Sequence, residues 1–113
     1  MPLAVQPLTA DIAVAGQLTP EATAEAAAAG FRSVINNRPD FEGGPTQPTS
    51  ASIEAAAQAA GLSYAFLPVA SGYQTPQEIA SFAGLLESMP KPILAFCRSG
   101  ARSGKLVRAA LGA

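Results

Sequence analysis

One cysteine, two arginines and two serines fall within seven residues near the end of the chain: Cys97-Arg98-Ser99-Gly100-Ala101-Arg102-Ser103. A cysteine thiolate is a strong nucleophile, and an arginine presents a planar fork of donors that fits the oxygens of an anion. Together they point to attack on an anionic substrate with covalent transfer through sulfur. The apolar run Pro92-Ile93-Leu94-Ala95-Phe96 precedes the cysteine and a second apolar-periodic stretch follows the loop, a pattern that predicts strand, loop, helix. A helix beginning near Arg102 would aim the unpaired N–H groups of its first turn at the sulfur, a setting that lowers a cysteine pKa from about 8.5 toward about 4–7. Arg102 and the loop amides from Ser99 through Gly100 and Ala101 are expected to hold the anion. Arg98 is expected to point outward and steer it, and Ser99 or Ser103 to hydrogen-bond the sulfur. A lone cysteine after an apolar strand is ordinarily a small buried residue. The glycine, the arginine and the helix start behind this one favour function.

The rest of the chain has to position that loop. Asp11–Gly16 alternates like a strand, and Thr19-Pro20-Glu21 opens an alanine-rich helix that stops at Gly30, with threonine as cap, proline in the first turn and glutamate on the positive end of the dipole. Phe31–Asn36 predicts the next strand, broken at Asn37-Arg38-Pro39-Asp40. A glycine- and proline-rich loop leads to a second alanine-rich helix from Ser50 to Gly61. Ser63–Leu67 predicts a third strand, and Ala70–Gln74 a second turn-rich loop. Thr75-Pro76-Gln77-Glu78 repeats the capping signature ahead of a helix whose apolar face is Ile79, Phe82, Leu85, Leu86 and Met89. Residues 1–10 read as an arm or an edge segment. Strands alternating with helices predict a three-layer α/β domain over residues 1–113, with a four- to five-stranded, mainly parallel sheet flanked by helices. Ligands in such sheets bind beyond the carboxyl ends of the strands, which puts 36–40, 69–74 and 97–102 on one rim. Arg38, Tyr73 and Gln74 are expected at the edge of the pocket, and Asp40 is the candidate acid there, with a purely structural turn role as its alternative.

Composition limits the remaining possibilities. The net charge of −1 gives no reason to expect a nucleic-acid or membrane partner, yet from Lys91 onward there are five basic residues and no acid. The cysteine end therefore sits in positive potential, suited to a small anionic substrate. One cysteine excludes an intrachain disulfide, and with no histidine and no C-x-x-C motif neither a metal site nor a cofactor is expected. The first residues have no basic start and no stretch approaches the roughly 20 apolar residues of a membrane span, so a reducing, cytoplasmic setting is expected.

Cys97–Ser103 resembles the active-site loop of rhodanese-type sulfurtransferases. Gly30–Asp40, with Val14–Gln17 and Leu67–Val69, resembles a bacterial family described as tyrosine-phosphatase-like or beta-lactamase-hydrolase-like, whose members are sometimes fused to persulfide dioxygenases. That resemblance implies a cysteine-phosphatase-like fold, Cys97 and Arg102 as catalytic residues, and a persulfide dioxygenase as partner. The phosphatase signature has histidine before the cysteine and five residues between cysteine and arginine; here Phe96 precedes Cys97 and only four residues intervene. The smaller ring ranks sulfur transfer through a Cys97 persulfide first, from thiosulfate or another persulfide donor to a thiol or cyanide. Hydrolysis of a phosphate ester through a phosphocysteine comes second, and a non-catalytic anion-binding or sulfur-carrier module third.

Overall fold

The computed structural model describes residues 3–112. Five strands form one sheet: β1 (Gln6–Pro7), β2 (Ile12–Ala15), β3 (Ser33–Asn36), β4 (Ser63–Phe66) and β5 (Ile93–Phe96). Their order across the sheet is β1-β2-β5-β3-β4, with β1 antiparallel to β2 and all other pairs parallel. The proline in β1 is tolerated because a two-residue edge strand needs few ladder donors. Four helices alternate with the strands: α1 (Pro20–Ala28), α2 (Ser50–Ala59), α3 (Pro76–Ser88) and α4 (Ala101–Ala110).

The last strand of the sequence takes the centre because it is apolar without a break. Every residue of Ile93–Phe96 is fully buried, as a strand covered on both faces requires. Its side chains alternate between two cores. Ile93 and Ala95 join Ile12, Val14, Ile35, Phe82, Leu86, Leu106 and Val107 on the α3/α4 face. Leu94 and Phe96 join Ala13, Ala15, Val34, Ile53 and Ala57 on the α1/α2 face. Parallel registry aligns the strand ends: Ala15 pairs with Phe96, Phe96 with Asn36, and Asn36 with Phe66. The loops after β2, β3, β4 and β5 therefore leave the sheet at one level, the rim expected from the sequence.

Three helices start alike. Thr19, Thr49 and Thr75 each sit at the N-cap and accept a hydrogen bond from the backbone N–H three residues on, and Thr75 completes a capping box with Glu78. The fourth starts differently: its N-cap is Gly100, which has no side chain to offer, and it begins at Ala101, one residue before the expected start.

Candidate active site

Cys97 follows β5 directly and is buried. The loop behind it can turn back sharply because Gly100 adopts φ 94°, a left-handed conformation that costs an L-residue roughly 1–2 kcal/mol. A Cβ at Gly100 would also stand 3.4 Å from the backbone of Ala15. The turn brings Gly100 N–H to 3.1 Å from the sulfur. Burial pushes the Cys97 thiol up, but backbone N–H groups of Ser103, Ser99 and Gly100, with the Ser103 hydroxyl, outweigh it and hold the thiol below its ordinary value. Ser103 is the third residue of α4, so its N–H is the donor that threonine accepts in the other three helices. In α4 the Cys97 sulfur takes that place. The Ser103 hydroxyl has one proton and donates it to Asn37 Oδ1 at 2.8 Å. The backbone amides are therefore the dependable donors to the sulfur.

Asn37 ties three loops together. It is fully buried and satisfied: its N–H donates to Phe96 O at 2.8 Å, its Nδ2 to Leu67 O at 3.1 Å, and its O accepts from Val69 N–H at 3.0 Å. Arg102, 6% exposed, reaches into the same junction. Its Nη1 donates to Val69 O at 3.0 Å and to Asn37 O at 3.5 Å, and its Nη2 to Glu42 Oε1 at 3.0 Å. Its Nε is a buried donor with no hydrogen-bond partner among the described residues. A buried orphan donor is costly, and Arg102 lines the same cleft as Cys97. Nε and Nη2 form one edge of the planar guanidinium, an edge able to meet two oxygens of an anion.

Glu42 Oε1 also accepts from Arg38 Nε at 3.0 Å, and Arg38 Nη1 donates to Gln17 Oε1 at 3.1 Å. Hydrogen bonding from Arg102 holds the Glu42 carboxyl below the usual range; burial opposes this and the bond from Arg38 reinforces it. The loop carrying Glu42 is shaped by successive turns, with Glu42 N–H on Pro39 O and Gly44 N–H on Phe41 O. Phe41, 62% exposed at φ 62°, turns the chain just before Glu42. Gln47 fastens the loop from inside through Pro39 O and Gly43 N–H. A Cβ at Gly43 would stand 2.5 Å from Arg38 Nη2, so a larger residue there would displace the end of that guanidinium.

These groups line a cleft of about 680 Å³ formed by Arg38, Glu42, Gly43, Ser71, Cys97, Arg98, Ser99, Ala101, Arg102 and Lys105. Cys97, Arg98, Ser99, Ala101, Arg102 and Arg38 thus come together as expected, with Gly100 and Ser103 beneath. Three expected residues stand elsewhere. Asp40 does not line the cleft: its Oδ1 accepts from Ser50 N–H at 2.7 Å, at the first turn of α2. Tyr73 is 67% exposed, and Gln74 bonds back to Ala70 O and Ser71 O within its own loop. Glu42 and Gln17 were not anticipated as site residues, and Asn37 and Ser71 fall within the two expected rim segments, 36–40 and 69–74, without having been singled out. The two adjacent glycines after Glu42 were the only local sign that the chain there packs closely against something. Among the described residues, no group of three or more His, Cys, Asp or Glu side chains is placed to hold a metal ion, and no helix is long and apolar enough to cross a membrane.

A cysteine at the end of a central parallel strand, with a tight loop and an arginine behind it, fits the cysteine-phosphatase-like fold class. A solved structure of a candidate phosphatase from Neisseria meningitidis is similar at a TM-score of 0.87 and 30% identity, covering 98% of this chain and 80% of that one. The catalytic core of a PP-IP phosphatase from S. cerevisiae, solved with citrate, shares the fold at a TM-score of 0.75 and 14% identity, covering 99% and 67%. Residues 4–112 match the family described as "Beta-lactamase hydrolase-like protein, phosphatase-like domain", and the chain belongs to that family. A Beta-lactamase hydrolase-like protein of Xylella fastidiosa is 37% identical over 92 residues, 81% of this chain but 21% of that protein. The chain therefore spans about a fifth of the length of this curated relative. These likenesses are to phosphatase-like proteins, and they reverse the ranking drawn from loop length, which had put sulfur transfer first on a rhodanese-type resemblance.

Proposed function

We propose that the chain is a cysteine-dependent phosphohydrolase acting on a small anionic substrate. One observation carries the reading: backbone N–H groups converge on the Cys97 sulfur while the buried Nε of Arg102, a residue of the same cleft, has no hydrogen-bond partner among the described residues. In this mechanism the phosphoryl oxygens lie against the loop amides and the Nε/Nη2 edge of Arg102. The Cys97 thiolate attacks phosphorus, the S–P bond forms, and the P–O bond to the leaving group breaks with its electron pair going to the departing oxygen. Water then attacks the phosphocysteine, phosphate leaves, and the thiolate is restored. Glu42 acts as a positioning residue, an ionised carboxylate that fixes the guanidinium of Arg102. Being ionised, it gives the leaving group no proton, so the chemistry suits leaving groups that are stable as anions. A thiolate that must stay reduced fits a reducing, cytoplasmic compartment.

The test is release of phosphate from phenyl phosphate and from 4-nitrophenyl phosphate, with mass spectrometry of the quenched protein. The reading expects a phosphoryl adduct on Cys97 and loss of turnover by at least about 10³-fold in Cys97→Ser. Turnover that survives that substitution overturns it.

Sulfur transfer is a second reading, favoured by two observations: only four residues separate Cys97 from Arg102, and the one carboxyl group in the cleft is ionised, which a sulfane donor such as thiosulfate tolerates. In it the Cys97 thiolate attacks the outer sulfur of thiosulfate, the S–S bond of the donor breaks and sulfite leaves, adding one sulfur, about 32 Da, to Cys97 as a persulfide for a thiol acceptor or a persulfide-oxidising partner to consume. A sulfur adduct without any phosphoryl adduct selects this reading. Stabilisation by sulfate with neither adduct leaves an anion-binding module.

A further inference from the structure

Positive charge is concentrated in this molecule far beyond what one phosphoryl group uses. Four of the seven Lys and Arg residues line the cleft, against one of the eight Asp and Glu, in a chain of net charge −1. Arg38 and Arg102 are occupied by that one carboxylate, Glu42. Arg98 and Lys105 are exposed, and among the described residues neither makes an ion pair. Both line the cleft. Arg98 follows the nucleophile, and Lys105 lies one helical turn beyond Ala101, four residues on and so on the same face of α4. The loop amides and Arg102 account for one tetrahedral anion. The cleft of about 680 Å³ is instead the size of whole small-ligand sites, about 300–1,000 Å³. A concave surface of one charge sign focuses its field on the ligand rather than losing it to solvent.

We propose that Arg98 and Lys105 form a second anion subsite, and that the substrate carries a phosphate-like group on its leaving portion as well as the one at Cys97. The substrate class is then a bis-anionic phosphate compound. This rests on the phosphohydrolase reading for which group is attacked, but not for the binding itself. It also fits the ionised Glu42: a leaving portion that departs as an anion needs no proton from the cleft and has two cations waiting for it.

The experiment is calorimetric titration of the full chain, at low salt, with methylphosphonate and with α,ω-bisphosphonates of one to three carbons. At least one bisphosphonate is expected to bind about tenfold more tightly than methylphosphonate, the gain two solvent-exposed charge contacts can supply. Lys105→Gln and Arg98→Gln should each cut that ratio about threefold, and added salt should erase it. Both positions are exposed, so the folded protein is available for the measurement. The proposal is overturned if no bisphosphonate gains more than the twofold statistical advantage of its two ends, or if the ratio survives the double substitution. Phenyl phosphate turnover is measured in parallel: a preserved ratio without turnover removes the hydrolytic reading and keeps the subsite.

Discussion

Replacing Glu42 by glutamine removes one charge from the point where Arg38 and Arg102 meet. Both guanidinium groups donate to the same oxygen at 3.0 Å, and the side chains are 11% (Arg38), 6% (Arg102) and 27% (Glu42) exposed. Exposed ion pairs contribute about 0–1 kcal/mol and hydrogen bonds to charged groups about 1.5–3 kcal/mol. Glutamine keeps an acceptor oxygen at the same place. The expected loss is therefore about 1–2 kcal/mol, read as a fall of about 0.5–1 M in the urea midpoint. Because the folded-state pKa of Glu42 is depressed, its contribution is fully present above the unfolded carboxylate value of about 4.3 and is lost as pH falls through the folded value. Wild type and variant should thus converge in stability in acid. With Arg102 released, kcat/KM should fall about 10- to 100-fold, as for a misplaced catalytic group. Phenyl phosphate and 4-nitrophenyl phosphate separate positioning from proton donation: misplacement slows both equally, whereas loss of an acid slows phenyl phosphate far more. Asp40→Asn is the control, since asparagine keeps the acceptor for Ser50 N–H and the residue is outside the cleft. An E42Q protein with wild-type stability and kcat/KM within about twofold would refute the positioning argument, as would a loss confined to phenyl phosphate.

Two further outcomes follow from the loop. Alkylation of Cys97 by iodoacetamide should titrate below the ordinary thiol value of about 8.5, and relative to Cys97→Ala the wild type should lose stability as pH falls through that folded midpoint and keep it above the unfolded thiol value; a midpoint at or above 8.5 contradicts the amide cradle. Gly100→Ala should cost about 1–2 kcal/mol for its left-handed φ, before any contact with Ala15, and should raise the alkylation midpoint as the amide turns away from the sulfur; an unchanged midpoint would mean that Gly100 does not set the thiol.

The fold was legible because its signals are local. Thr-Pro starts, alanine-rich runs, the strand-ending glycines and prolines, and the apolar Ile93–Phe96 each act within a few residues. The cysteine loop was legible for the same reason, since all its parts lie between Cys97 and Ser103. What failed to show was anything made by loops meeting in space. Glu42 finds Arg102 sixty residues away, and whether it or Asp40 faces inward is decided by consecutive turns and the positive φ of Phe41, a bulky residue that rarely takes that conformation. Asn37 looked like a strand-breaking turn residue, yet its partners come from β5, the β4 loop and α4. Loop length is visible in sequence, but ring size alone does not choose between two reactions that share a thiolate and an anion cradle.

The main chain supplies most of the donors around the sulfur, through the N–H groups of Ser99, Gly100 and Ser103. A peptide N–H survives nearly any change of side chain, so positions 98, 99, 101 and 105 can be rewritten without dismantling the cradle, provided Gly100 keeps the turn. Alanine scanning would pass over this half of the site, and replacing a peptide N–H by an ester oxygen would expose it. On such a scaffold, reactivity and preference evolve separately: Cys97, Gly100 and Arg102 hold the chemistry constant while the side chains above them retune what is admitted.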